Sequence, residues 1–353
     1  MTASRPLVSV VLPVKDAADT VLEAVESILE QTLRDLELIV VDDGSVDGTD
    51  RVLASVDDPR VIVLRHPVNL GLVPALRAGI DTARAEVIAR MDADDAARPE
   101  RLVRQYAILQ RHASVGLVST AFVAVDSQGR ELQQHGVPPD HAAAWFRLHF
   151  ANCLAHPTVM FRRVAYDAAG GYDERLVPAE DHDLWLRMAE RVEIATIPEP
   201  LLRYRHRLGP NAARAVEERA RTSAEVAARA IERTTGRRPA ARVVEVLRAD
   251  HARSDCHDAR AVVAVVVPVY TAIKQACAAR GIGTANLSGQ LATLLAHGLR
   301  AADGSWCRGG VAELARRHPG VAVGLARLQL GRRARRATQD GSDASSRRGA
   351  PGR

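Results

Sequence analysis

Three aspartates stand within four positions of VIARMDADDAARPERL (87–102), directly after a run of apolar residues. Carboxylates that close together repel one another unless something cationic sits among them. Asp92 and Asp94 are two apart, so on an extended chain both point to one face. Short hard-oxygen donors on one face suit Mg2+ or Mn2+. So few carboxylates would leave such an ion to complete its shell with water and a phosphate-bearing substrate. Asp95 reads either as a further ligand or as the cap of a helix that begins near Arg98-Pro99. All three aspartates equally suit an ordinary strand–helix turn.

A second acidic pair, Asp42 and Asp43, ends another apolar run in LELIVVDDGS (36–45). Gly44 and Ser45 turn the chain there, and Ser45 or Asp47 can cap the next helix. The functional alternative is an aspartate exposed on a rim, where it accepts a hydrogen bond from a nucleobase N–H.

The elements that must carry these residues alternate. Strand patterns over 7–14, 36–45, 60–66, 85–92 and 115–126 are separated by helix patterns, the first with Val21, Leu22, Val25, Ile28 and Leu29 on one face. Such alternation predicts an α/β domain with an open, mostly parallel sheet and helices on both faces. Ligands of these sheets sit beyond the carboxyl ends of the strands, and both acidic clusters fall at such ends, on one rim. After residue 126 the pattern becomes mixed: HPTVMFRR (156–163) reads as a strand, EDHDLWLRMAERV (180–192) as an amphipathic helix with Trp185 in the core, and 193–207 as extended. Composition shifts near Gly209-Pro210, giving three expected parts: 1–210 with the chemistry, a mainly helical 211–330 interrupted by AVVAVVVPVY (261–270), and a basic disordered tail, 331–353.

The chain has 353 residues, 47% hydrophobic and 26% charged, which reads as globular. No segment reads as a signal peptide, and the run 261–270 is about half of what a membrane span needs. Four widely spaced cysteines predict reduced thiols, a cytoplasmic setting and no zinc site. The net charge is +5, and residues 331–353 hold seven arginines against two aspartates, so the tail supplies the whole excess. With 3% aromatic residues to stack on bases, a nucleic-acid partner is not expected. The tail could instead dock the protein peripherally on an anionic inner membrane face.

The order SVVLPVKDA…ESILEQT…ELIVVDDGSVDGT…NLGL…ARAEVIARMDADD…AEDHDLWLRM resembles family-2 glycosyltransferases, which have the GT-A fold, over about Val8 to His206. The resemblance implies transfer of a sugar, with inversion, from a nucleotide diphosphate sugar to an acceptor hydroxyl. A UDP-sugar is the default donor, and the acceptor would be a glycan, a lipid-linked molecule or a small molecule, as in bacterial surface polysaccharide or glycoconjugate synthesis. It implies a nucleotide site near Pro13, Val14 and Asp43, with Arg77 and Asp92 contributing. It implies a metal on Asp92 and Asp94, with His206 as third ligand, and Asp181 of the Glu180-Asp181 pair as catalytic base. A helix start there would favour the ionised carboxylate and lower its basicity, and a simple N-cap is the competing reading. Arg205 and His156 are supporting candidates, although an edge strand blunted by basic residues explains RYRHR (203–207) as well, and His156 suits a structural role. The sequence departs from the family pattern at Lys15-Asp16, where Tyr-Asn is common, at Val46, where Thr is usual, and at Arg77, where an asparagine is common. Lys15 and Arg77 would add positive charge near the nucleotide. A non-catalytic nucleotide-sugar-binding module is the alternative function.

Overall fold

The computed structural model describes residues 5–205, 212–248, 258–299 and 314. His206, Gly209-Pro210 and the basic tail lie outside them. The chain divides into two compact units, Met1–Ala230 and Ile231–Arg353, so the division falls inside a helix beyond the composition shift at Gly209-Pro210.

The first unit opens with β1 (Val8–Val14), α1 (Val21–Leu29), β2 (Leu36–Asp42), α2 (Thr49–Ala54), β3 (Val61–Arg65), α3 (Leu72–Thr82) and β4 (Val87–Arg90). The strands lie in the order β3-β2-β1-β4, all parallel. Every residue of β1 and β2 is buried, as their unbroken apolar runs require of strands covered on both faces. In α1 the buried stripe is Val21, Ala24, Val25 and Ile28, and Leu22 is exposed. The 3.6-residue period puts Ala24 rather than Leu22 on the face of Val21.

From there the sheet is mixed. The remaining elements of this part are β5 (Ala96–Ala97), α4 (Arg101–Arg111), β6 (Val115–Val125), β7 (Glu131–His135), α5 (His141–Leu148), β8 (Met160–Arg162), α6 (Arg163–Ala168), α7 (Glu180–Ala189) and β9 (Glu193–Arg205). β8 runs antiparallel between β4 and β6, β9 runs parallel to β6, and β5 and β7 pair antiparallel with β9 and β6. The sheet is thus mixed, with most of its paired residues in parallel register, as expected of this α/β domain. The segment 156–163 is only partly strand: His156–Thr158 forms a 3-10 turn, consistent with Pro157 having no N–H for a ladder.

The parallel order places the ends of β1, β2 and β4 on one edge, with β1 in the middle. Both acidic clusters sit there, as expected. Side chains of α1 hold the segment that follows the aspartates. Ser27 Oγ accepts the Ala97 N–H (3.0 Å), Gln31 Nε2 donates to the Arg98 carbonyl (2.8 Å), and Gln31 Oε1 accepts the Leu102 N–H (3.0 Å). β5 then ties the same segment to β9 through Ala96–Arg203 and Ala97–Leu202.

α8 (Ala212–Thr235) spans the division, and the second unit continues with α9 (Ala241–Arg248), α10 (Asp258–Ala279) and α11 (Leu287–Gly298). The apolar run 261–270 does not interrupt the helix. It lies inside α10, with Pro268 in the helix interior. Over Arg260–Ala279 that helix is long and apolar enough, by length and composition, to cross a membrane, where the sequence reading found no such segment. Val262, Val263, Val266, Val267, Val269, Ile273 and Cys277 are buried, and α10 packs on α9 and α11. The core helix of a small bundle has the same composition.

Gly44, between β2 and α2, has φ of 71°, and a Cβ there would meet the backbone of Val68 at 2.7 Å and of Asn69 at 2.9 Å. Backbone cannot move aside as a flexible side chain can, so only glycine lets the loop after β3 close on the rim. Gly44→Ala should lower unfolding free energy by about 2 kcal/mol in urea titrations.

Candidate active site

The three aspartates do not lie on an extended chain. β4 ends at Arg90, and Ala93-Asp94 form a turn. The turn nonetheless brings ligand oxygens of Asp92, Asp94 and Asp95 within 4.8 Å of one another. Asp95 is 2% exposed. It caps no helix: its Oδ1 accepts the Arg205 backbone N–H at 2.8 Å, and its Oδ2 is buried without a hydrogen-bond partner. Burial, then the charges of Asp92 and Asp94, push its pKa well above the carboxylate range. A buried, unsatisfied carboxylate oxygen beside two half-buried ones is a donor set that fits a hard divalent cation.

Arginines frame this cradle. Arg90, 4% exposed, pairs through Nη2 with Asp92 Oδ1, while its Nε and Nη1 have no hydrogen-bond partner. Burial works against the Arg90 charge, but Asp92 outweighs it, and its pKa lies above the ordinary arginine value. Arg101, also buried, donates to the carbonyls of Pro157 (2.5 Å) and Arg90 (3.0 Å). Burial brings its pKa down to about 10. Arg205 donates from Nε to the Asp94 carbonyl (2.9 Å), from Nη1 to the Ser127 carbonyl (3.1 Å) and from Nη2 to Glu23 Oε2 (2.5 Å). It clamps the turn from β9, so this supporting candidate braces the aspartates.

The second station is the start of α7. Glu180 is buried with Oε2 unpartnered. Asp181 is surrounded by protein yet keeps part of its surface open. Its Oδ1 accepts the His182 N–H and its Oδ2 an Asn152 Nδ2 hydrogen, both at 2.7 Å. His182 is fixed behind it by Ser223 Oγ (2.9 Å) and the Leu148 carbonyl (2.6 Å), and Asp183 by Arg187 (2.6 Å). Arg90 exerts its charge on Asp92 and Asp95 and also on Glu180 and Asp181.

The sequence profile of Glycosyl transferase family 2 matches residues 9–168. EpsE of Bacillus subtilis (strain 168) is 33% identical over 195 residues, 53% of this chain and 68% of EpsE. The amylovoran biosynthesis glycosyltransferase AmsE of Erwinia amylovora is 30% identical over 194 residues, 54% of this chain and 72% of AmsE. The chain belongs to glycosyltransferase family 2. Two solved structures show the fold. The mannosyltransferase PcManGT of Pyrobaculum calidifontis, in complex with GDP-Man and Mn2+, has a TM-score of 0.53 at 20% identity, covering 93% of this chain and 88% of its own. TarS 1–349 of S. aureus, in complex with UDP-GlcNAc, has 0.52 at 16% identity, covering 83% and 80%. The fold is thus the GT-A fold with a helical C-terminal region.

Of the residues expected near a nucleotide, Pro13, Val14 and Asp43 are buried. Asp43 is 4% exposed rather than displayed on the rim. Its Oδ1 pairs with His66 Nδ1 (2.7 Å) and accepts the Leu70 N–H (2.9 Å), and its Oδ2 accepts the Gly71 N–H (2.8 Å). Burial alone would raise its pKa, but these donors lower it. Asp43 therefore anchors the 66–71 loop, with one lone pair of Oδ2 left over. Pro13 and Val14 are buried at the end of β1, opposite Val41 and Asp42. Neither Ser45 nor Asp47 occupies the N-cap of α2, which is Gly48. Ser45 Oγ accepts the Asp16 N–H (3.0 Å) and Asp47 the Ala18 N–H (3.0 Å), lacing the loops after β1 and β2 together. The two extra cations are already engaged. Lys15 pairs with Asp16 (2.5 Å), and Arg77 with Glu174 and the Tyr172 carbonyl (2.5 Å), so Arg77 ties α3 to the 172–174 segment. His156 is buried against Tyr172 Oη (2.8 Å) and Trp185. Burial, Arg90 and Arg219 hold its pKa well below the histidine range, so its imidazole is neutral. Trp185 is fully buried, as read from its helix.

The helix dipole does not govern Asp181. Burial raises its pKa against the donors around it, which makes it a better base than a helix start alone implies. Burial and Asp181 push Glu180 up to about 7. Folding thus favours protonated Glu180. Its contribution is complete below the ordinary glutamate value of 4.5 and is lost as pH rises through about 7. Urea unfolding should show wild type losing up to about 3 kcal/mol more than Glu180→Gln between pH 4.5 and pH 8.

Proposed function

We propose that this glycosyltransferase moves a sugar from a nucleotide diphosphate sugar to an acceptor hydroxyl with inversion at the anomeric carbon, in the assembly of a bacterial polysaccharide or glycoconjugate. One observation carries the reading. The aspartate cradle and the half-open Asp181 are two acidic stations that share the charge of Arg90. One station suits a divalent ion and a diphosphate, the other a proton acceptor. Asp92, Asp94 and Asp95 would hold Mn2+ or Mg2+, and a cation bound there would supply positive charge toward the leaving diphosphate. His206, outside the described residues, is the further ligand that the family resemblance implies. The acceptor oxygen bonds to the anomeric carbon as the bond from that carbon to the phosphate oxygen breaks. The diphosphate leaves with the electron pair, and the hydroxyl proton passes to an Asp181 carboxylate oxygen.

The donor class is supported by neighbours of the same fold whose complexes contain UDP-GlcNAc and GDP-Man. A UDP-sugar remains the first donor to try, near Pro13, Val14 and the remaining acceptor of Asp43. Polysaccharide assembly is supported by AmsE, named for amylovoran biosynthesis, and by the Escherichia coli O-antigen biosynthesis glycosyltransferase WbnJ, 29% identical over 56% of this chain.

Asp181→Asn should lower turnover by about 100- to 10,000-fold while leaving nucleotide affinity within about twofold, as expected of a group that acts in the transfer step alone. Unchanged turnover would remove Asp181 as the base. The surplus of five positive charges in 331–353 supports peripheral contact of a cytoplasmic enzyme with an anionic membrane. Deleting 331–353 should release the protein from phosphatidylserine vesicles in co-sedimentation, and retained binding would contradict that contact.

A further inference from the structure

We propose that Asn152 is the positioning residue of the Asp181 base, an inference that rests on the reading of Asp181 given above. Asn152 lies between α5 and the 3-10 turn at His156, remote in sequence from α7, and is exposed. Its Nδ2 donates to Asp181 Oδ2 at 2.7 Å, and its Oδ1 accepts the Leu154 N–H at 3.2 Å. The second bond decides which way the amide faces. With the oxygen committed to Leu154, the nitrogen turns to the carboxylate.

The other carboxylate oxygen takes the His182 N–H from its own helix. One donor on each oxygen, from two different elements, fixes the carboxylate plane. Each oxygen keeps one lone pair, and one of these suffices to receive an acceptor proton. Without Asn152 the carboxylate would turn about its side-chain torsions, and misplacement of a reacting group by about 1 Å can cost on the order of 100-fold in rate. A neutral amide is suited to this task. The charged and titratable groups that act on Asp181 are Glu180 beside it, Arg219 from α8, Arg90 from the end of β4, and Tyr172. Another cation at 152 would orient the carboxylate but make it a weaker base.

The test compares wild type, Asn152→Ala and Asp181→Asn. Asp181 titration is followed by 13C NMR of labelled aspartate carboxyls, the signal being assigned by its loss in Asp181→Asn. An N–H given to a carboxylate favours the ionised form. Asn152→Ala should therefore raise the Asp181 midpoint by about 0.5–1 pH unit, and an unmoved midpoint overturns the proposal whether or not a donor is known. Release of nucleoside diphosphate from UDP-glucose, UDP-N-acetylglucosamine and GDP-mannose with Mn2+, water serving as acceptor, supplies the second readout. Asn152→Ala should lower kcat about 10- to 100-fold with donor KM within about twofold and the acid limb of the pH profile moved upward. If Asp181→Asn abolishes turnover while Asn152→Ala leaves kcat and the profile unchanged, the positioning role fails and the base stands. If Asp181→Asn turns over like wild type, the base itself fails.

Discussion

Three carboxylates crowded at the end of β4 are the constraint around which the surrounding structure is arranged. Unit charges about 4 Å apart interact with about 4 kcal/mol at a protein surface, a repulsion at the Ala93-Asp94 turn that nearby cations reduce. Arg90 supplies one, paired with Asp92 and buried where water cannot screen it. Arg101 holds the carbonyls of Arg90 and Pro157, so the cation and the 3-10 turn beside it share one brace. Arg205 ties the turn to β9 and Glu23. Even so, Asp95 keeps a buried oxygen with no hydrogen-bond partner and a raised pKa. The arginines offset the crowding only in part, and the remaining imbalance suits another cation.

Much of this was legible in the sequence. Unbroken apolar runs ending in Asp42-Asp43 and Asp92 gave strands buried on both faces, and their parallel order put both clusters on one rim. Residues whose partners lie far along the chain were not legible. Arg90 looks like the polar end of an apolar run, yet it is the buried cation among the acids. Ser27 and Gln31 look like ordinary helix positions, yet they hold the segment after the turn. Asp43 left both a turn role and a rim position open, because nothing local shows that the loop at 66–71 folds over it, which Gly44 permits. Strand spacing does not show pairing order either: β8, one short antiparallel strand, inserts between β4 and β6.

The Glu180-Asp181 pair shows how burial can reverse a local expectation. Position at a helix start predicts a weak base, but removal from water raises both pKa values, and the neighbours Arg90 and Arg219 only moderate this. Adjacent carboxylates with environments that differ in openness are suited to different tasks. The partly open Asp181 can meet an incoming hydroxyl, while the closed Glu180 cannot. Arg90 links this station to the cradle without touching Asp181, through its charge alone.

The central claim is that the aspartate cradle binds a divalent cation together with a nucleoside diphosphate. Calorimetric titration of UDP, GDP and dTDP, each with and without Mn2+, on wild type and Asp94→Asn tests it directly. The account predicts binding of one nucleotide that depends on Mn2+ and weakens at least about tenfold in the variant. Nucleotide binding that is indifferent to both Mn2+ and Asp94, or no binding under any condition, would contradict it and return the three aspartates to the role of turn residues.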